Sequence, residues 1–403
     1  MKAKVTQLFL ALFVGLLSTV QAQTIEEGMA HLEAERISEA KKVLTSLSES
    51  NPTPENLFAL GHFYVRTGAF DQAMSTHEKG AALDAKSLLN QVGIGTVELA
   101  KGNTAKAKEI FDGIEKKSKA KDAQLLFRMG QAYTLFEKHN DPAEAIRLID
   151  LATKRDRSIA DAFIAKGDAL IKRNEGGPAV TAYEYALMAK PGYALANNRI
   201  GQVYLQGKNY NLALDFYKKA IDESPDFSPA YKDLAELYFF ARQYKRAAEN
   251  FDLYLQKSGN QDPEMVLRAA QFAFTADEYE KSLQLLDSVK GRINNPIIKR
   301  MYGWGRFKTN DVDGAIENIE DFIKVAPEKV IADDYKYLGK AYNRRASDKG
   351  YDPRGMRYLM KGADLDTNYT ESAATYKEIG ALFYKEKDYD DAIMANTKGI
   401  SLD

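Results

Sequence analysis

A nearly unbroken apolar run, Leu8 to Leu17, opens the chain, and no later stretch is long and apolar enough to cross a bilayer. Past it the pattern changes: small and large residues recur at fixed offsets among polar ones. Around Ala194 the chain reads ALANNRIGQVYLQGKNYNLALDFYKKAIDESPDF, and from Ser228 it reads SPAYKDLAELYFFARQYKRAAENFDLYLQKSGNQ. Both stretches are 34 residues long, and the physics of the shared offsets is that of two antiparallel helices. Gly201 and Ala213 are small because the helices touch where they cross. Tyr204 and Tyr217 fill the gaps beside that contact, and Pro225, which has no amide hydrogen to donate, ends the second helix.

The same ruler laid in both directions gives eleven units, near 23–53, 54–87, 88–121, 123–159, 160–193, 194–227, 228–261, 263–295, 296–329, 332–371 and 373–403. Gly28 and Ala40 mark the first, Gly61, Tyr64 and Ala73 the second, and Gly95, Ala107 and Phe111 the third. Gly167, Ala179 and Tyr183 mark the fifth, and Gly303 and Ala315 the ninth. The fourth is lengthened around His139 to Pro142 and the tenth around Lys349 to Arg354, while the eighth, marked by Ala270, Ser282 and Leu286, is weak. These three are the expected flexing points of one continuous solenoid over 23–403, because a unit that packs only on its neighbours leaves no natural domain boundary.

The offsets resemble the tetratricopeptide repeat, whose pattern runs from a large residue through Leu-Gly, Tyr, Ala and an aromatic to Pro. That resemblance implies an all-α fold, a right-handed α-α superhelical solenoid of about eleven helix pairs. It also implies a concave face lined by the first helix of each unit, on which proteins or peptides bind. The family's usual contact positions fall early on Phe58, His62, Val65, Val92, Phe127, Ile164 and Asp168, and in the middle on Asn198, Gln202, Lys232, Glu236, Phe239 and Phe274. In the last units they fall on Arg300, Trp304, Phe307, Lys336, Lys340, Arg344 and Lys377, with Tyr384 beyond. This basic and aromatic set is the expected partner-binding site. Lys336, Lys340 and Arg344 follow at four-residue steps and so share a helix face, which suits a solvated charged surface first and an acidic peptide second. The Lys and Asn clamp that some family members use for chaperone tails is not carried over, since Lys340 stands where its first Asn would be.

Composition then narrows the class. With 56 Lys plus Arg against 57 Asp plus Glu, the chain lacks the basic excess of a nucleic-acid binder. Lys2 and Lys4 before the apolar run, and small residues in Val20-Gln21-Ala22, read as a signal peptide over 1–22, cleaved before Gln23. With no cysteine in the chain, stability must come from packing alone, and a cysteine-anchored lipoprotein is excluded. The expectation is a soluble exported protein, periplasmic or secreted, probed by its partners in the bacterial cell envelope.

Catalytic chemistry is not legible. His31, His62, His77 and His139 show no metal-ligand spacing, so no metal and no cofactor is expected. Asp311, Asp313, Gly314 and Glu320 sit at four spacings of a calcium loop, but Thr309 holds its first ligand position, so a capped interhelix turn is expected there. Three readings follow: a non-catalytic protein-interaction scaffold, which is preferred, a carrier for a glycan or other envelope polymer, and an enzyme with an unrecognised site. Chain and repeat stop together at Asp403 without a polar terminal helix, so the expectation is either that the chain is cut short there or that a partner or second copy covers that end.

Overall fold

The structure is a computed structural model and describes residues 23–84, 86–346 and 351–402. The signal peptide expected over 1–22, and part of the insertion expected around Lys349, lie outside the described residues. Twenty-two α-helices follow one another in eleven pairs, and no strand occurs among the described residues. The all-helical repeat read from the sequence is therefore the fold.

One device turns nearly every pair. Among the described residues, nine of the eleven interhelix turns hold a single residue with positive φ, from Glu35 at 55° to Gly102 at 83°. The amide that follows reaches back five residues: Ala69 N–H donates to Tyr64 O, Asn209 N–H to Tyr204 O and Asp311 N–H to Arg306 O, each at 2.8 Å. Carbonyls left without partners at the first helix's end are thereby satisfied. Helix starts are fixed as simply. Thr53, Asp141, Asp262 and Asp352 each cap a first turn that opens on proline, where the missing N–H costs nothing.

The pairs cross through a second recurring contact. The small residue of the first helix lies against the side chain sixteen positions later: Gly95 under Phe111, Gly167 under Tyr183, Gly201 under Tyr217 and Gly303 under Ile319. Gly201 and Tyr217 thus touch directly, and Tyr217 is fully buried. In the fourth pair the partner of Gly130 is Ile149, nineteen positions on, and in the tenth Gly339 meets Leu359, twenty on. The extra residues therefore lengthen the turns and leave the crossings intact. The eighth pair uses another pairing, in which Ser282 Oγ donates to Ala270 O at 2.8 Å.

Histidine takes the crossing position in the second pair. His77, 1 % exposed, is wedged between Gly61 and Gly93, and its Nδ1 lies 3.2 Å from Asn90 Oδ1. Asn90 in turn donates to Pro54 O at 2.8 Å. Burial holds the imidazole down to about 4, well below its ordinary value of 6.5. The unfolded chain thus binds a proton that the fold refuses between those values, and stability is lost as pH falls from 6.5 towards 4. Urea titrations from pH 4 to 8 are expected to give His77→Gln a shallower acid slope than the wild type, by up to one proton per molecule. Equal slopes would show that His77 is charged in the fold.

The chain forms two compact units, one holding the described residues up to Asp233 with Lys257–Gly259, the other holding Leu234–Gln256 and Asn260–Asp403. In the first unit the opening pair returns to the sixth and seventh. Tyr193 OH lies 3.0 Å from Glu33 Oε1, Ser228 Oγ donates to Ala34 O at 2.6 Å, and Lys232 pairs with Glu35 at 2.6 Å. Ala34 also packs with Ala194, Ala220, Phe227 and Ala230. This seam closes the first unit on itself. In the second unit the first helices of successive pairs lie side by side, and three cores follow one another, one with Leu286, one with Ile319 and Leu338, and one with Leu359.

Candidate binding surfaces

In the second unit the residues expected to bind do gather, but around one another. Trp304, on the first helix of the ninth pair (Ile297–Lys308), is half-buried and stacks on Tyr337 of the tenth pair with ring centroids 5.0 Å apart and planes 19° from parallel. Phe274 of the eighth pair lies 5.9 Å from it, and Phe307 meets Tyr337 edge-on at 5.5 Å. Three successive pairs thus contribute to one aromatic wall. Tyr337 was not singled out in the sequence, because it falls beside the family's contact positions. Its spacing of 33 from Trp304, one repeat on, is the signal that could have found it.

The cations beside this wall already have partners. Arg300 donates through Nε and Nη2 to the two carboxylate oxygens of buried Asp334, at 2.9 and 2.8 Å, and lies 4.5 Å over Phe322. Lys336, itself buried, bonds Asp366 and lies 3.5 Å from Glu371. Lys340 lies 3.4 Å from Glu378. Arg344 covers the Phe307 ring at 4.1 Å and donates to Phe307 O at 3.0 Å, while Lys377 stands exposed on the last pair. The four-residue steps place Lys336, Lys340 and Arg344 on one helix as read. Their heads, however, go to Asp366 at the end of the same pair, to Glu378 of the next pair, or to Phe307 O of the preceding one. Asp311 caps its helix by accepting from Gly314 N–H at 3.0 Å, as expected of a capped turn, and Glu320 accepts from Tyr342 OH.

The first unit holds a second surface, an inner cavity of about 350 Å³ walled by first helices from Met29 to Asp233. Its lining is polar and carries both signs of charge. On one wall Tyr193 OH lies 2.6 Å from Asp161 Oδ1 and 3.0 Å from Glu33 Oε1. Burial first, and the charge of Asp161 second, push the Glu33 carboxyl up to about 7. Below that value a protonated Glu33 donates to Tyr193 while Tyr193 donates to Asp161, so every group in the chain is satisfied. Asp233 accepts from Asn198 Nδ2 at 2.8 Å and Gln202 Nε2 at 2.6 Å. Arg199 pairs with Asp168 at 3.1 Å.

Family models described as tetratricopeptide repeat match residues 57–89, 164–226 and 204–257. This is a tetratricopeptide-repeat protein. Among curated relatives the repeats are similar to the human protein O-mannosyl-transferase TMTC1, 27 % identical over 186 residues, covering 45 % of this chain and 21 % of that protein. They are also similar to anaphase-promoting complex subunit 6 of Arabidopsis thaliana, 30 % identical over 126 residues, covering 31 % and 23 %. The chain's repeats thus span less than a quarter of each of these relatives. Among solved structures, the Cut9–Hcn1 hetero-tetramer of the APC/C aligns over 93 % of this chain and 92 % of that one, at 14 % identity and a TM-score of 0.40. MamA aligns over 41 % and 95 %, at 24 % identity and a TM-score of 0.35. The coarse role that tetratricopeptide repeats carry is that of a protein-interaction scaffold. No helix among the described residues is long and apolar enough to cross a membrane.

Proposed function

We propose that this tetratricopeptide-repeat protein is a non-catalytic scaffold of the bacterial cell envelope that grips an extended segment of a partner protein along the aromatic wall of its second unit. One observation carries the reading: Phe274, Trp304 and Tyr337 come from three successive pairs, and Trp304 keeps part of its ring open. Aromatic faces add contact area at little conformational cost, and a wall built across pairs suits a chain that runs along it. Arg300, Lys336 and Lys340 act as struts between pairs, since an acidic partner would have to displace Asp334, Asp366 and Glu378. Export rests on the leader pattern of 1–22. The exposure of Ile393 and Ile400 on the last helix, 64 % and 70 %, supports a partner or second copy against it.

Trp304 is the only tryptophan, so its emission reports on this wall alone. Envelope extract passed over the immobilised protein is expected to yield a stoichiometric protein partner that shifts Trp304 emission. Capture is expected to fall at least tenfold with Trp304→Ala, with helix content unchanged by circular dichroism. Full capture by that variant sinks the proposed site, and retention of a glycan polymer without protein replaces the scaffold with a carrier.

A further inference from the structure

The inner cavity of the first unit carries a feature the scaffold reading does not use. Two of its arginines, Arg66 and Arg128, have no carboxylate within ion-pairing distance among the described residues, although Arg199 beside them is paired. Arg128 is held in place without a counter-ion. Its guanidinium lies 4.6 Å over the Phe127 ring and 5.5 Å over Phe58, and Nη1 donates to the neutral oxygen of Gln131 at 2.9 Å. Desolvation leads the effects on both guanidiniums, and acids act on them only through their charge, Asp161 and Glu33 on Arg128 and Glu33, Asp168 and Glu35 on Arg66. Arg66 is exposed and Arg128 half-buried, so the missing counter-ion bears on Arg128, whose partly desolvated charge favours an anion beside it.

The neighbouring space says what kind of group fits. A second cavity of about 240 Å³ shares Met29, His62 and Arg128 with the first, and its remaining wall is Ile25, Phe58, Ala59 and Leu89 together with Glu55 and Gln124. It is apolar, and larger than the roughly 150 Å³ that accommodates benzene in an engineered core. His62 stands at the junction, kept neutral by burial and by Arg128, so it adds no charge of its own. Arg128 therefore faces an apolar slot on one side and a polar chamber on the other. A planar guanidinium pairs a planar carboxylate through two parallel N–H bonds. A second negative charge on the ligand would be opposed by Asp161 and Asp168 on the facing walls.

We propose that the first unit binds a small amphipathic monocarboxylate, its carboxylate on Arg128 and Arg66 and its apolar part in the slot lined by Ile25, Met29, Phe58 and Leu89. This site is in the other unit from the aromatic wall and stands whether or not that wall binds protein.

Calorimetric titration of the full chain with octanoate tests it, with 1-octanol and octylamine as controls of equal chain length. Octanoate is expected to bind at least tenfold more tightly than either control. Arg128→Gln is expected to erase that preference, and Ile25→Trp, which fills the slot and leaves the guanidinium untouched, to abolish octanoate binding. Should Arg128→Gln fail to fold, Arg66→Gln carries the same expectation. Equal affinity for octanoate and octanol, or octanoate affinity within twofold of wild type in the folded arginine variant and in Ile25→Trp, overturns the proposal.

Discussion

Asp334→Ala is expected to lower the stability of the second unit by about 4 kcal/mol, the scale on which removing one partner of a buried ion pair acts. Asp334 is fully buried, and its carboxylate receives three bonds: Arg300 Nε at 2.9 Å, Arg300 Nη2 at 2.8 Å and the Ile331 N–H at 2.9 Å. Alanine strands a guanidinium that is only 12 % exposed, and leaves the start of the tenth pair's first helix (Ala332–Arg345) without its cap. The same carboxylate therefore joins two pairs and starts a helix. Urea unfolding monitored by Trp304 emission measures the loss where it occurs, because Arg300 lies 5.5 Å from that ring. Asp334→Asn, which keeps an acceptor, is expected to lose distinctly less. A loss under 1 kcal/mol for the alanine variant would mean that water replaces the carboxylate at no cost.

Gly339→Val is expected to cost about 3 kcal/mol through overpacking. A Cβ built on Gly339 stands 2.7 Å from Gly355 O and 2.8 Å from Leu359 N, so the obstruction is backbone, which cannot rotate away. Gly201 differs, since its added carbon would first meet the ring of Tyr217, a side chain with some freedom to give. Valine adds two further carbons where even one does not fit. Gly113 is the control, as nothing lies within 4 Å of its added carbon. Gly113→Ala is expected to stabilise by roughly 0.5–1 kcal/mol, the helix preference alone. Thermal unfolding of both variants checks the contrast, and a valine variant as stable as wild type would show that the tenth pair's helices spread freely.

The repeat was legible because its crossings are local. Gly201 and Tyr217 sit sixteen positions apart, so pattern and contact share one window. The turn was half legible: Gly68 and Gly102 announce positive φ, whereas Glu35, Lys208, Arg242 and Lys387 adopt it with side chains that give no such signal. Of the basic stripe, the shared helix of Lys336, Lys340 and Arg344 was legible and the partners of their charges were not. A scan of one face sees Arg300 and Lys336, but their partners stand off that face, Asp334 one repeat further on and Asp366 at the end of Lys336's own pair. The inner cavity was not legible. Its walls come from the first helices of several pairs, and their convergence depends on the rotation accumulated from pair to pair, which no single window of sequence contains.

That rotation also sets an order of events in folding. The seam of the first unit joins residues 160, 194 and 197 positions apart, against sixteen to twenty for the crossings within pairs. Bringing such distant segments together from a flexible chain costs roughly 2 kcal/mol more than closing a crossing, and few contacts are available there to offset it. The seam becomes cheap only after the pairs between have stacked and fixed the path. It is thus the last contact of the first unit to form and the first to open, and amide exchange at Glu33 to Arg36 should report that opening while the helix crossings stay protected.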